Sequence, residues 1–139
     1  MLNKGRLHEE LTESVIGCGM RVHGHFGPGM LEAIYRRCME IELQDAGFEI
    51  ETARRIPLVY KDVNLGCTYE ADLIVNGVLI VELKAIEKLA PIHQMQVITY
   101  LKLTGCPVGL LMNFNVPLLK QGIRRVVRPD LYVGRETEK

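Results

Sequence analysis

The stretch that most constrains the fold is Val75 to Lys84, where a turn signal precedes a short apolar segment carrying two charges. Asn76-Gly77 is typical of tight β-hairpin turns, so we expect antiparallel strands on either side. Residues two apart in a strand share a face, so Glu82 and Lys84 point the same way and Leu83 points into the core. Charges on a buried strand are costly unless they are paired or bind an ion. The segment therefore predicts a central hairpin with a polar site.

Asp72 lies ten residues before Glu82, on the other side of the turn. A two-residue loop at the Asn-Gly pair would place Asp72 opposite Val81, and the two carboxylates would then lie on opposite faces. A three-residue loop of residues 75–77, with its glycine in the left-handed region, would pair Asp72 with Ile80 and place both carboxylates on one face. We predict this turn, or an equivalent bulge, as a condition for a site.

Two neighbouring carboxylates repel each other and favour a hard cation between them, and oxygen ligands suit Mg²⁺ or Mn²⁺. A cation held by Asp72 and Glu82 could bind a phosphate oxygen and activate a water molecule. Lys84 could orient that water or stabilise a pentacovalent phosphate. A buried Glu82–Lys84 salt bridge is the structural alternative. The presence of Asp72 at this spacing favours a site.

The remaining pattern predicts an α/β fold in which a mixed central sheet is flanked by helices. Helices are expected over residues 7–22, from Pro28 or Gly29 to Ala46, and over residues 91–104. Strands are expected over residues 48–52, 56–60, 63–75, 78–84, 108–114 and 122–127, with a turn at residues 61–62. From about residue 129 we expect a polar C-terminal tail that is frayed.

Composition narrows the class of protein. The 139 residues fit one domain, and no apolar run is long enough to cross a bilayer. No signal-like segment is present at the N-terminus, so we expect a cytoplasmic protein without membrane contact. The net charge is zero, which argues against non-specific nucleic-acid binding but allows a local basic groove. The four cysteines are widely spread, which favours buried free thiols over a metal site.

Three motifs in the chain resemble those of a known superfamily. Asp72, followed after nine residues by Glu82-Leu-Lys84, resembles the core of the PD-(D/E)xK nucleases, with Ala71 where the usual proline stands. Residues 96–100 are similar to the QxxxY element of the branch with lambda-type exonucleases and the nuclease domains of recombination helicases. Residues 29–35 are similar to the GxxExxY element for which a family of small proteins is named. The resemblance covers roughly residues 15–128 and implies a restriction-endonuclease-like core.

The resemblance also implies an activity, a cofactor and site residues. It implies a nuclease that uses Mg²⁺ or Mn²⁺, and DNA rather than RNA is the expected substrate. The implied metal ligands are Glu32, Asp72, Glu82 and the carbonyl of Leu83. The implied catalytic residues are Asp72, Glu82, Lys84, Gln96 and Tyr100. Structural alternatives exist for three of these: Glu32 could serve the helix dipole, Gln96 could bond a backbone group, and Tyr100 could be a packing residue.

Four further residues are candidate substrate contacts, namely His23, Tyr35, Arg54 and Arg124. His23 comes directly after the predicted first helix and could instead have a structural role. Tyr35 could pack in the core. The two arginines belong to basic stretches that could bind phosphates or simply be solvated. Two other functions compete with the nuclease: a catalytically silent module of the same fold within a larger nucleic-acid-processing complex, and a phosphoesterase for small molecules. A homo-oligomer is possible.

Overall fold

The computed structural model describes residues 7–132. Within this range the helices are α1 (Glu9–Phe26), α2 (Glu32–Asp45) and α3 (Pro91–Thr104). The strands are β1 (Ile50–Tyr60), β2 (Val63–Val75), β3 (Leu79–Lys84), β4 (Val108–Asn113) and β5 (Ile123–Val127). Two short 3₁₀ turns, Leu119–Gly122 and Pro129–Tyr132, complete the described elements. No helix of the described part is both long and apolar enough to cross a membrane.

The strands form one mixed sheet in the order β1-β2-β3-β4-β5. Neighbouring strands are antiparallel except β3 and β4, which are parallel. Because parallel neighbours need a crossover, α3 connects β3 to β4 and packs on one face of the sheet. The predicted fold class, a mixed central sheet flanked by helices, is confirmed.

Two apolar clusters hold the helices on opposite faces of the sheet. On one face, residues of α1 and α2, such as Val15 and Met39, pack with Val81. On the other face, Val97 and its neighbours on α3 pack with inward-facing residues of β2 to β5. Gly109 in β4 allows this approach, because a Cβ there would lie only 2.6 Å from Cγ1 of Val97. Side chains along the central strands alternate between the two faces of the sheet, so one face packs against α3 and the other packs against α1 and α2.

Several boundaries differ from the predicted ones. Helix α1 continues past residue 22 to Phe26 and ends at Gly27, whose positive φ of 66° and N–H bond to the His23 carbonyl close the helix. Helix α2 begins at Glu32, later than predicted, because the hydroxyl of Tyr35 holds the preceding loop. The predicted strands 48–52 and 56–60 are parts of one strand, β1.

The C-terminal tail begins with structure where fraying was expected. Pro129–Tyr132 forms a 3₁₀ turn, and Nε of Arg128 lies 2.7 Å from Oδ1 of Asp130. The rest of the predicted tail, residues 133–139, lies outside the described residues. The turn at residues 61–62 is confirmed, since Lys61 and Asp62 have positive φ and connect paired Tyr60 and Val63.

The hairpin between β2 and β3 has a three-residue loop, but its register differs from the predicted one. Leu73 pairs with Val81 and Val75 pairs with Leu79, so the loop is residues 76–78 and not 75–77. Continuing the pairing by one step places Asp72 opposite Glu82, so the predicted pairing with Ile80 is wrong. The turn centres on residues 76 and 77, which both have positive φ. The Val75 carbonyl accepts the N–H of Val78 across this turn, which leaves Val75 free to pair with Leu79 as the last pair of the ladder. The expected shared face of the two carboxylates is confirmed.

Candidate active site

Asp72 and Glu82 are interlocked at the point where the β2–β3 backbone pairing ends. The N–H of Asp72 donates to Oε1 of Glu82 at 2.8 Å, and the N–H of Leu83 donates to Oδ2 of Asp72 at 2.9 Å. The two acids are only 9% and 6% exposed, respectively. Each carboxylate is therefore fixed by the backbone of the opposite strand, which leaves little side-chain freedom at the centre of the cluster.

The charge balance of this pair is unfavourable without a further cation. Burial, followed by the negative charge of Asp72, raises the pKa of Glu82 to about 8. The N–H bond from Asp72 and the charge of Lys84 act in the opposite direction and do not compensate. A buried carboxylate with a raised pKa, facing a second acid, is a common feature of functional sites.

Lys84 ends β3 and is half-buried beside the two acids. Its positive charge acts to lower the pKa of both Glu82 and Glu32. The chain leaves the strand just after Lys84, and buried Asn113 of β4 holds it there. The amide of Asn113 accepts the N–H of Ile86 and donates to the Ile86 carbonyl, both at 3.0 Å. Asn113 is not among the residues predicted for the site, although a polar residue at the end of an apolar strand is a signal present in the sequence.

Helix α2 contributes an acidic residue, Glu32, and a basic residue, Arg36, to the cluster. Burial of its carboxyl, followed by the charge of Asp72, raises the pKa of Glu32, while Lys84 and Arg36 act to lower it. Nη1 of Arg36 lies 3.7 Å from Oδ1 of Asp72 and 4.0 Å from Oε1 of Glu70. Arg36 is not among the residues predicted for the site, although its position four residues after Glu32 places it on the same helix face.

Helix α3 contributes Tyr100 from the other layer. Burial, followed by the charges of Glu82 and Asp72, raises the pKa of Tyr100 to about 12, so its hydroxyl is a neutral donor near the acids. The ring of Tyr69 in β2 meets it edge-on, with centroids 5.6 Å apart. Gln96 lies one turn earlier and is exposed, and within residues 7–132 its side chain makes no hydrogen bond. The structure thus brings Tyr100 to the cluster and leaves Gln96 open to solvent.

The remaining candidate residues have described contacts elsewhere. Nε2 of His23 lies 2.8 Å from the Val116 carbonyl, and the residue is buried. Tyr35 is fully buried, and its hydroxyl donates to the Gly27 carbonyl and accepts the N–H of Met30. Both side chains thereby fix loops near the cluster, and neither contacts its carboxylates.

The two arginine candidates lie on the outer strands of the sheet. Arg54 is exposed on β1, and its Nη1 is 3.6 Å from Oε1 of Glu51. Arg124 is exposed on β5 and donates to the carbonyls of Gln121 and Ile123. Their described contacts do not bring either of them to Asp72 or Glu82.

Comparison with family models adds the decisive observation. A model described as the PD-(D/E)XK nuclease superfamily matches residues 9–126, a range that includes all three helices and every strand except the last residue of β5. The chain belongs to the PD-(D/E)XK nuclease superfamily. No curated protein and no solved structure matches it.

PD-(D/E)XK nucleases generally use divalent metal ions. No group of three or more His, Cys, Asp or Glu side chains within residues 7–132 is arranged to hold a metal ion. Mg²⁺ retains several waters and commonly uses one or two carboxylates. The two buried acids fit such an ion.

Proposed function

We propose that this chain is a divalent-metal-dependent nuclease that hydrolyses phosphodiester bonds, with DNA as its preferred substrate. The observation that carries the proposal is the interlocked pair of Asp72 and Glu82, in which burial and mutual repulsion raise the pKa of Glu82 to about 8. Such a pair costs stability in a purely structural role, since two apolar residues would pack there at lower cost. A hard cation gives the arrangement a physical reason.

The residues around the pair have distinct proposed tasks. Asp72, Glu82 and the carbonyl of Leu83 would hold Mg²⁺ or Mn²⁺, with Glu32 at longer range. The bound ion would supply Lewis acidity and lower the pKa of an attacking water. Lys84 orients that water and offsets negative charge on the phosphate. Tyr100 donates a hydrogen bond from a hydroxyl that stays protonated at neutral pH.

The finer assignments belong to the same proposal. We propose that Gln96 contacts substrate, because it is exposed one turn from Tyr100 on α3. Arg54 and Arg124 are proposed phosphate contacts at a distance, because both are exposed cations. His23 and Tyr35 would then serve the substrate indirectly, through the loops that they hold. Membership of the GxxExxY family within the lambda-type branch, a cytoplasmic location and a homo-oligomer are also part of this proposal.

The experiment combines metal titration with cleavage assays. Mg²⁺ and Mn²⁺ are titrated by calorimetry into the wild type, Asp72→Asn, and the control Asp45→Asn, which changes an exposed acid at the end of α2. The three proteins are then incubated with linear, circular and single-stranded DNA. We expect metal binding and metal-dependent cleavage in the wild type and the control, and neither in Asp72→Asn.

The alternative is a silent nuclease-fold module in a larger complex, which the net charge of zero favours. In the same experiment such a module would bind no metal, either alone or with DNA, and would cleave none of the substrates. That combination of results would refute the nuclease proposal. Cleavage of linear DNA but not circular DNA would instead assign an exonuclease.

A further inference from the structure

The outer part of the β1–β2 hairpin, residues 54–69, projects beyond the two carboxylates of the proposed site, and of this segment only Arg54 has been given a proposed contact with substrate. We call this segment the arm. Its exposed large apolar side chains are between 43% and 62% accessible, and they are Val59, Tyr60, Val63, Leu65 and Tyr69. The whole stretch from Val63 to Glu70 is exposed. An isolated two-stranded hairpin is marginally stable in water, and clustered exposed apolar side chains mark an interaction surface.

The charge of the arm indicates the chemistry of its partner. The arm contains three cations, Arg54, Arg55 and Lys61, and one acid before Glu70, Asp62. The chain as a whole is neutral, so this segment is locally basic. The ammonium of Lys61 lies 5.5 Å from the ring centroid of Tyr60 at the tip. Aromatic rings interleaved with cations are typical of surfaces that bind single-stranded nucleic acids, because rings stack on bases while cations meet phosphates.

The edge of the arm disfavours the other obvious partner, a second copy of the chain. β1 is an edge strand, so its free edge could pair with a strand of another molecule. Pro57 interrupts that edge because it has no N–H to donate. In a symmetric dimer paired along this edge, the positive charges of Arg54 and Arg55 from the two copies would lie near the two-fold axis and repel each other. Proline and like charges on an edge strand are features that block strand pairing.

The arm is continuous with the candidate active site. Tyr69 lies at its base, edge-on to Tyr100 at 5.6 Å, and Asp72 follows three residues later on the same strand. At about 3.3 Å per residue, β2 reaches roughly 30 Å from Asp72 to Val63. A polymer lying along the arm would therefore pass Tyr69 and Tyr100 on its way to the carboxylates.

We propose that the arm binds a single-stranded segment of the nucleic-acid substrate and leads it toward Asp72 and Glu82. This inference rests on the proposed nuclease function and names the form of its substrate: a single strand, or a duplex with a frayed end. Bases stack on Tyr60 and Tyr69, and phosphates meet Lys61 and Arg54, which lies two residues before Ile56, the partner of Tyr69 in the strand pairing. The occupant is thus a polyanion with exposed aromatic bases.

The test measures binding in EDTA, where cleavage does not interfere. Fluorescence anisotropy follows a short labelled oligothymidine, and a duplex of the same length, bound to the full chain. Tyr60→Leu keeps an apolar side chain but removes the ring, and Tyr60→Phe keeps the ring. Lys61→Ala removes a cation at the tip, while Lys120→Ala removes an exposed cation before β5, at the opposite edge of the sheet.

We expect Tyr60→Leu to weaken binding of the single strand about five-fold or more, since one stacked base is worth at least that factor. Tyr60→Phe should bind as the wild type, and the duplex should bind more weakly to every protein. Lys61→Ala should reduce the dependence of affinity on salt, whereas Lys120→Ala should not. Equal affinity of the wild type, Tyr60→Leu and Lys61→Ala for the single strand would overturn the proposal.

Two further results separate the possible failures. A dimer in sedimentation that Val63→Ser dissociates, with oligonucleotide binding unchanged, would assign the arm to a second copy and overturn the proposal. The cleavage assay with Asp72→Asn reports on the active site alone. If the wild type cleaves DNA and the arm variants bind normally, only the arm assignment fails. If no substrate is cleaved but Tyr60→Leu loses affinity, the nuclease function fails and the arm assignment holds.

Discussion

Replacement of Glu82 by glutamine should reveal how much stability the candidate site costs. In the folded protein the pKa of Glu82 is raised to about 8 from an ordinary value of 4.5. Between these pH values the folded state keeps a proton that the unfolded chain has released. The free energy of unfolding therefore falls as pH rises through this window. Glu82→Gln removes this dependence while its amide oxygen still accepts the N–H of Asp72.

The magnitude follows from the same values. Each pH unit inside the window costs the wild type up to about 1.4 kcal/mol. Across the window the loss is on the order of 3–5 kcal/mol, which is a large share of the stability of a small domain. The variant should match the wild type near pH 5. Near pH 7.5 the variant should be more stable by roughly 2–4 kcal/mol.

Urea unfolding in EDTA at several pH values provides the measurement, with each variant compared with the wild type at the same pH. Glu13→Gln, which changes an exposed acid on α1, is the control and should follow the wild type throughout. Addition of Mg²⁺ should stabilise the wild type and not Glu82→Gln, because ligands that bind only the folded state stabilise it. A difference between Glu82→Gln and wild type that stays constant with pH, or that reverses sign, would refute the reasoning.

Three further substitutions test other parts of the site. Lys84→Met should lower the cleavage rate about a hundred-fold or more, while calorimetry shows metal affinity retained; loss of both would instead show a structural role. Arg36→Gln should increase Mg²⁺ affinity in calorimetry, because the guanidinium 3.7 Å from Asp72 competes with a cation; unchanged or weaker binding would contradict this. Tyr35→Phe should lower the free energy of unfolding by about 1–2 kcal/mol in urea titrations, since the N–H of Met30 and the carbonyl of Gly27 lose their partner; an unchanged value would show that water replaces it.

Local signals in the sequence predicted most of the fold. The helical spacing and the flanking Pro91 and Gly105 gave the bounds of α3 correctly, and turn residues located both hairpins. These features depend on neighbours in the chain, so the sequence carries them directly. The start of α2 was not predicted, because Tyr35 fixes the loop before it from inside the helix.

The register of the central hairpin could not be obtained from local signals. Two three-residue loops, residues 75–77 and 76–78, place Asp72 and Glu82 on one face, and the same dipeptide serves both. The structure selects the second, in which Val75 and Leu79 pair and are both fully buried. Core packing against α1 and α2 therefore decides the register, and that packing involves residues distant in the chain. The same limit explains why Arg36 and Tyr69 were missed, since each meets the site only in the folded protein.

The segment of residues 29–35, with the sequence pattern GxxExxY, contains one residue with a structural role and one residue of the proposed site. Its tyrosine, Tyr35, points into the core and holds the loop that begins at Gly27. Its acid, Glu32, lies three residues earlier on the helix, and the charge of Asp72 raises its pKa while that of Lys84 lowers it. A shift of the loop would move the first turn of α2 and with it Glu32. We therefore expect a mutation of Tyr35 to affect the site through the position of Glu32, although the tyrosine itself touches no carboxylate of the cluster.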